Sequence, residues 1–174
     1  MNIILCGLHQ SGKTTVGNAL AKELGYHFID TDHLIEEEYA RTKGHKSNCR
    51  TISLKEGEDF FRQLESRCIL QLNTVNQSVI ALGGGSLISP DNQKIISSLG
   101  TVYYLKTPPD ILWERIQVNG LPSFLDPEQP KISFLAMIEK RIPIYEQSAH
   151  FVIENNLPTV GDVVAEIIRT LHNG

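Results

Sequence analysis

Eight residues close to the start of the chain, Gly7-Leu8-His9-Gln10-Ser11-Gly12-Lys13-Thr14, follow the pattern G-x-x-x-x-G-K-[ST]. Glycines at those positions let the backbone wrap an anion with successive N–H groups turned inward, and a helix starting directly behind them adds the positive end of its dipole. In such a loop the Lys13 ammonium reaches the β- and γ-phosphates of a nucleotide and the Thr14 hydroxyl serves a magnesium ion. The flanks agree, with the apolar run NIILC before the loop and helical spacing over residues 13 to 24 after it. The residues predict binding of ATP with Mg²⁺, against the alternative of a merely structural glycine turn.

Further groups recur at the ends of strand-like runs. Asp30 and Asp32 close the run HFI in FIDTDHLIEEE, where one carboxylate can hold a magnesium-bound water and the other can accept a hydrogen bond from a substrate hydroxyl. Asp32 would equally serve as the N-cap of the helix HLIEEE. Gly83-Gly84-Gly85 follows SVIAL and suits either close approach of a ligand or a tight turn with positive φ. In GEDFFRQLE, Glu65 stands three residues after Arg62 on one helical face, an arrangement that makes either a carboxylate clamp or an exposed ion pair. Arg141, in KRIPIYEQSA, is either a second anion-binding group or a surface arginine.

The elements that must position these residues alternate. Strand-like runs lie at 2 to 6, 27 to 29, 78 to 82, 101 to 105 and 150 to 153, with helical spacing at 13 to 24, 57 to 74, 108 to 117, 131 to 146 and 159 to 172. Alternation of this kind builds βαβ units, and near-continuous apolar strands fit a sheet covered on both faces. The fold class is therefore three-layer α/β with a parallel sheet, whose carboxyl edge receives the ligands. Residues 41 to 50 and 118 to 130 are expected to be irregular, and the second, with three prolines and a glycine, has the chemistry of a lid.

With 174 residues, the chain is read as one domain spanning 1–174. Hydrophobic residues at 41% and charged residues at 21% are ordinary for globular proteins, and a net charge of −4 gives no footprint for nucleic acid. No secretory leader is read at the N-terminus and no run reaches the roughly eighteen apolar residues of a membrane span, so a cytoplasmic location with no membrane partner is expected. Cys6, Cys49 and Cys68 lack metal-binding spacing and are expected to be reduced thiols.

Taken in order, GLHQSGKT, DTD, GEDFFRQLE, GGG, a proline-bearing lid and RIPIYEQSA resemble the shikimate kinase family over nearly the whole chain. The resemblance implies a P-loop kinase fold with a five-stranded parallel sheet ordered 2-3-1-4-5, an acceptor-binding segment at about 31–62 and a lid at about 117–130. It implies ATP and shikimate as partners, Mg²⁺ as cofactor and transfer to the 3-hydroxyl in aromatic amino-acid biosynthesis; a monomer is expected. It implies that Asp32 acts as base and binds substrate together with Arg62, Gly84 and Arg141. It further implies that Thr14 and Asp30 serve the metal, and that Gln10, Ser11, Gly12, Lys13, Thr14, Thr15, Arg115 and Asn156 bind ATP.

One departure stands out: the family lid usually carries arginine before the proline, and Leu121 precedes Pro122 here. Arg115 and Lys131 are the basic residues expected to compensate. A kinase for another small metabolite such as gluconate would share the architecture without needing the paired arginines, and Leu121 leaves a non-catalytic nucleotide-binding module as a second alternative, although a pseudokinase would be expected to lose Lys13 or Asp32 and both are present. No NKxD or DxxG sequence supports a GTPase switch.

Overall fold

A computed structural model of the chain describes residues 1–122 and 124–173; Ser123, inside the expected lid, and Gly174, at the end of the expected domain, lie outside the described residues. The apolar runs form five strands, β1 (Asn2–Cys6), β2 (His27–Asp30), β3 (Ser78–Ala81), β4 (Gly100–Lys106) and β5 (Phe151–Glu154). All pair in parallel in the order β2-β3-β1-β4-β5, with Ile4 of β1 registered between Ile80 of β3 and Val102 of β4. This is the three-layer P-loop kinase arrangement expected of the sequence.

Period-two alternation in β1 divides the core. Ile4 and Cys6 turn to one face, packing with Ile69 of α4 (Glu58–Gln71), Ile96 of α5 (Pro90–Leu99), Leu112 of α6 (Pro109–Asn119) and Phe134 of α7 (Pro130–Ser148). Ile3 and Leu5 turn to the other, against Val16 and Leu20 of α1 (Lys13–Leu24) and Val163 and Ile167 of α8 (Val160–Asn173). Both faces are therefore dry, which is why β1 and β3 are buried from end to end. A third cluster, Ile35, Tyr39, Ile52, Phe61, Leu64 and Cys68, joins α2 (Thr31–Lys43), α3 (Cys49–Glu56) and α4 into a cap beside the sheet edge.

Two expectations change. The segment 41–50 is half helical, because α2 runs to Lys43 and α3 begins at Cys49, leaving only 44–48 between them. Helices α3 and α5 form where the sequence spacing predicts none: α3 buries only Ile52 and is held by docking on its neighbours, whereas α5 packs Ile95, Ile96 and Leu99 on the core. Among the described residues no helix is long and apolar enough to cross a membrane, and all three cysteines are free thiols.

Candidate active site

Parallel pairing brings the carboxyl ends of all five strands to one edge, and every candidate residue from the first three strand ends meets there. The loop after β1 curls tightly: Gln10 holds φ of 66° and Gly12, the cap of α1, holds 83°. A left-handed glutamine is strained by roughly 1–3 kcal/mol, a cost that such loops carry where they hold a ligand. Lys13 Nζ donates to Gly7 O at 3.0 Å and Leu8 O at 2.8 Å, so the ammonium sits inside the loop it is meant to serve. Burial lowers its pKa, partly offset by Asp32. His9 is held down to about 4 by burial and by the positive Lys13 and Arg141, and it stays neutral at physiological pH.

Asp30 connects two elements. Its Oδ2 accepts from Thr14 Oγ1 at 2.8 Å, and its Oδ1 accepts the Asp32 N–H at 3.0 Å, which makes Asp30, not Asp32, the N-cap of α2. Asp32 is thereby released from the capping alternative and projects into the cavity. Oxygen donors from Thr14 and Asp30 fit a hard divalent cation. No cluster of three or more His, Cys, Asp or Glu side chains forms among the described residues, so an ion here would complete its shell with phosphates and water, as Mg²⁺ does.

The cavity beside the loop has a volume of about 410 Å³ and is lined by Asp32, Arg62, Gly83 to Gly85, Arg141, residues of α3 and, from the segment expected to be a lid, Leu121, Pro122 and Phe124. Burial raises the Asp32 carboxyl to about 6, with Asp30 adding to the shift and Lys13 opposing it. At neutral pH such a group is ionised yet close enough to its pKa to take a proton in a transition state.

Arg62 is not an exposed helix pair. Its Nε and Nη1 donate to Glu58 and Glu65 at 2.7 Å each, and Glu65, 2% exposed, also accepts from Ser86 Oγ at 2.7 Å. This scaffold fixes the guanidinium plane, an arrangement able to receive a carboxylate. Arg141 is half-buried, donates to Gly84 O at 3.3 Å and lies over the Phe124 ring at 5.5 Å, and Tyr145 Oη donates to the same Gly84 carbonyl.

The three glycines do not form a positive-φ turn. Each leaves room for a neighbour instead. A Cβ at Gly83 would stand 2.6 Å from Asp32 Oδ1, one at Gly84 3.3 Å from His9 N, and one at Gly85 2.5 Å from Arg62 Nη1.

On the nucleotide side, Arg115 Nη1 donates to Gln10 O at 2.9 Å, which sets the arginine against the phosphate loop, while Thr14 and Thr15 are exposed on the first turn of α1. Asn156 is exposed after β5. Its neighbour Asn155, unmarked by any motif, donates to Ser11 O at 2.5 Å and Thr107 Oγ1 at 2.9 Å, buttressing the loop from behind. Arg50 of α3 lines the cavity and was also missed, because its segment read as irregular. Lys131 does not line the cavity.

Comparison with known proteins agrees with this geometry. The family model described as Shikimate kinase matches residues 10–172. A shikimate kinase of Burkholderia thailandensis is 38% identical over 171 residues, covering 98% of this chain and 90% of the relative. One from Symbiobacterium thermophilum is 37% identical over 174 residues, covering 98% and 96%. The solved shikimate kinase of Acinetobacter baumannii in complex with shikimate superposes with a TM-score of 0.88 at 32% identity, covering 99% of this chain and 93% of that one. With the phosphate loop, the carboxylate pair and the arginine clamp gathered at one sheet edge, the chain belongs to the shikimate kinase family.

Proposed function

We propose that the protein transfers the γ-phosphoryl group of ATP to the 3-hydroxyl of shikimate, forming shikimate 3-phosphate and ADP. The observation that carries this reading is the cavity in which Asp32 stands at the foot of the phosphate loop with Arg62 and Arg141 around Gly84. Arg62 and Arg141 bind the acceptor carboxylate, and their fixed planes leave one hydroxyl facing Asp32. Asp32 takes the hydroxyl proton as the oxygen bonds to the γ-phosphorus; the bond from that phosphorus to the bridging oxygen breaks, and its electron pair leaves with ADP. Lys13 and the loop N–H groups from Gln10 to Thr15 hold the phosphates, and Arg115 and the strand-end loop with Asn156 face the adenine. Bound Mg²⁺, carried at Thr14 and Asp30, would neutralise phosphate charge.

In this reading the chain is a single domain, with residues 31–62 closing over the acceptor and 117–130 closing over both substrates. It acts as a cytoplasmic monomer on small molecules without a membrane partner, and its net charge of −4 argues against a nucleic-acid partner. The test is ADP release from ATP and Mg²⁺ with no acceptor, with shikimate and with gluconate. Release that depends on shikimate supports the reading; release with gluconate alone, or none beyond background, overturns it.

A further inference from the structure

Charge on a phosphoryl group in flight spreads over three equatorial oxygens, and a cation brought from outside the phosphate loop is worth orders of magnitude in rate. The described lid residues that line the cavity, Asn119, Gly120, Leu121, Pro122 and Phe124, bring none. Three arginines line the same cavity, Arg50, Arg62 and Arg141. Arg62 is held between Glu58 and Glu65, and Arg141 is held by Gly84 O and Phe124. Arg50 is exposed and makes no hydrogen bond or ion pair with any described residue. Neither basic residue suggested by sequence fills the gap, since Arg115 is engaged with Gln10 O and Lys131 lies off the cavity.

Where Arg50 stands is fixed by its neighbours. Asn48 caps α3 by accepting the Thr51 N–H at 2.8 Å, the Cys49 N–H donates to Glu36 Oε1 at 3.0 Å, and Cys49 Sγ donates to Asp32 O at 3.3 Å. The turn that carries Arg50 is thus pinned to the backbone of the base. A cation at the second position of a helix opposes the dipole, and no acidic residue in that first turn offsets it. A locally unfavourable, exposed charge aimed at a cavity is the kind of rule-breaking that functional sites show.

We propose that Arg50 is a catalytic residue, whose guanidinium moves onto the transferring phosphoryl group from the acceptor side and supplies the charge that the lid lacks at Leu121. This rests on the phosphoryl-transfer reading above. Arg50 exchanges no proton or electrons: the proton goes to Asp32 and the electron pair leaves with ADP, while Arg50 neutralises the oxygens between them.

The test is steady-state kinetics with ATP, Mg²⁺ and shikimate on the wild type, Arg50→Ala and the double variant Arg50→Ala/Leu121→Arg, with melting temperatures alongside. Removing Arg50 is expected to lower kcat by about a hundredfold or more, with both KM values changed less than about threefold, and Leu121→Arg to restore at least about tenfold of the loss. The exposed position of Arg50 keeps Arg50→Ala folded. A kcat within about threefold of wild type, or a loss confined to the KM for shikimate, overturns the inference alone. A wild type without shikimate-dependent turnover overturns the functional reading and this inference with it.

Discussion

The Thr14 hydroxyl donates to Asp30 Oδ2 at 2.8 Å, tying the first turn of α1 to the end of β2 at the place suited to a metal ion. Because the other oxygen of the same carboxylate caps α2, Asp30 has two separable tasks. Asp30→Asn keeps a capping oxygen and should leave the melting temperature nearly unchanged while raising the Mg²⁺ concentration needed for half-maximal rate by about tenfold or more. Asp30→Ala should additionally lose about 1 kcal/mol of stability, read by thermal or urea unfolding.

Asp32 should govern the pH profile. With its carboxyl raised to about 6 by burial and by Asp30, kcat/KM for the acceptor should climb as pH rises through that value and level off above it. Asp32→Asn should abolish transfer and leave ATP affinity, measured by calorimetry, within about twofold. The stability sign is opposite to that of a salt-bridged carboxylate. The folded state holds the proton more tightly than the unfolded chain, so the contribution of Asp32 to stability is greatest below about 4 and is lost as pH rises toward 6. At pH 7 Asp32→Asn should be at least as stable as the wild type.

Gly85→Ala would set a methyl group 2.5 Å from Arg62 Nη1, and the guanidinium, as the far end of a flexible side chain, should give way before the backbone does. The expected outcome is a KM for shikimate raised about tenfold with little change in melting temperature. Arg62→Lys should raise it by a similar factor, because an ammonium cannot reproduce the fork held by Glu58 and Glu65. An unchanged KM in both variants would remove Arg62 from the acceptor clamp.

Asn155 should matter to nucleotide binding without touching the phosphates. Its bonds to Ser11 O and Thr107 Oγ1 hold the loop from behind, so Asn155→Ala should weaken ATP binding by about tenfold and lower stability by roughly 1–2 kcal/mol. Asn156→Ala, at an exposed position, should change the KM for ATP by less than about threefold.

The sequence by itself determined the phosphate loop, the alternation of strands and helices, and so the sheet and the edge at which ligands bind. These are local signals: NIILC is apolar at every position because both faces of β1 are covered, and G-x-x-x-x-G-K-T carries its backbone geometry in its glycines. Only the tertiary structure decided which of several local alternatives each later residue takes. Asp30 rather than Asp32 caps α2, and the Thr14 hydroxyl, brought from α1, holds the other oxygen of that carboxylate while the Asp32 N–H takes the first. Gly83, Gly84 and Gly85 are small because Asp32, His9 and Arg62 crowd them, contacts that come from three other segments. Glu65 turns Arg62 into a fixed clamp only because Ser86, twenty-one residues away, helps to bury it. Arg50 and Asn155 carry no motif, and their places follow from the packing of α3 on Asp32 and of the β5 end on the phosphate loop. A period or a motif reports what a residue does with its neighbours in the chain, whereas these roles are set by neighbours that only folding supplies.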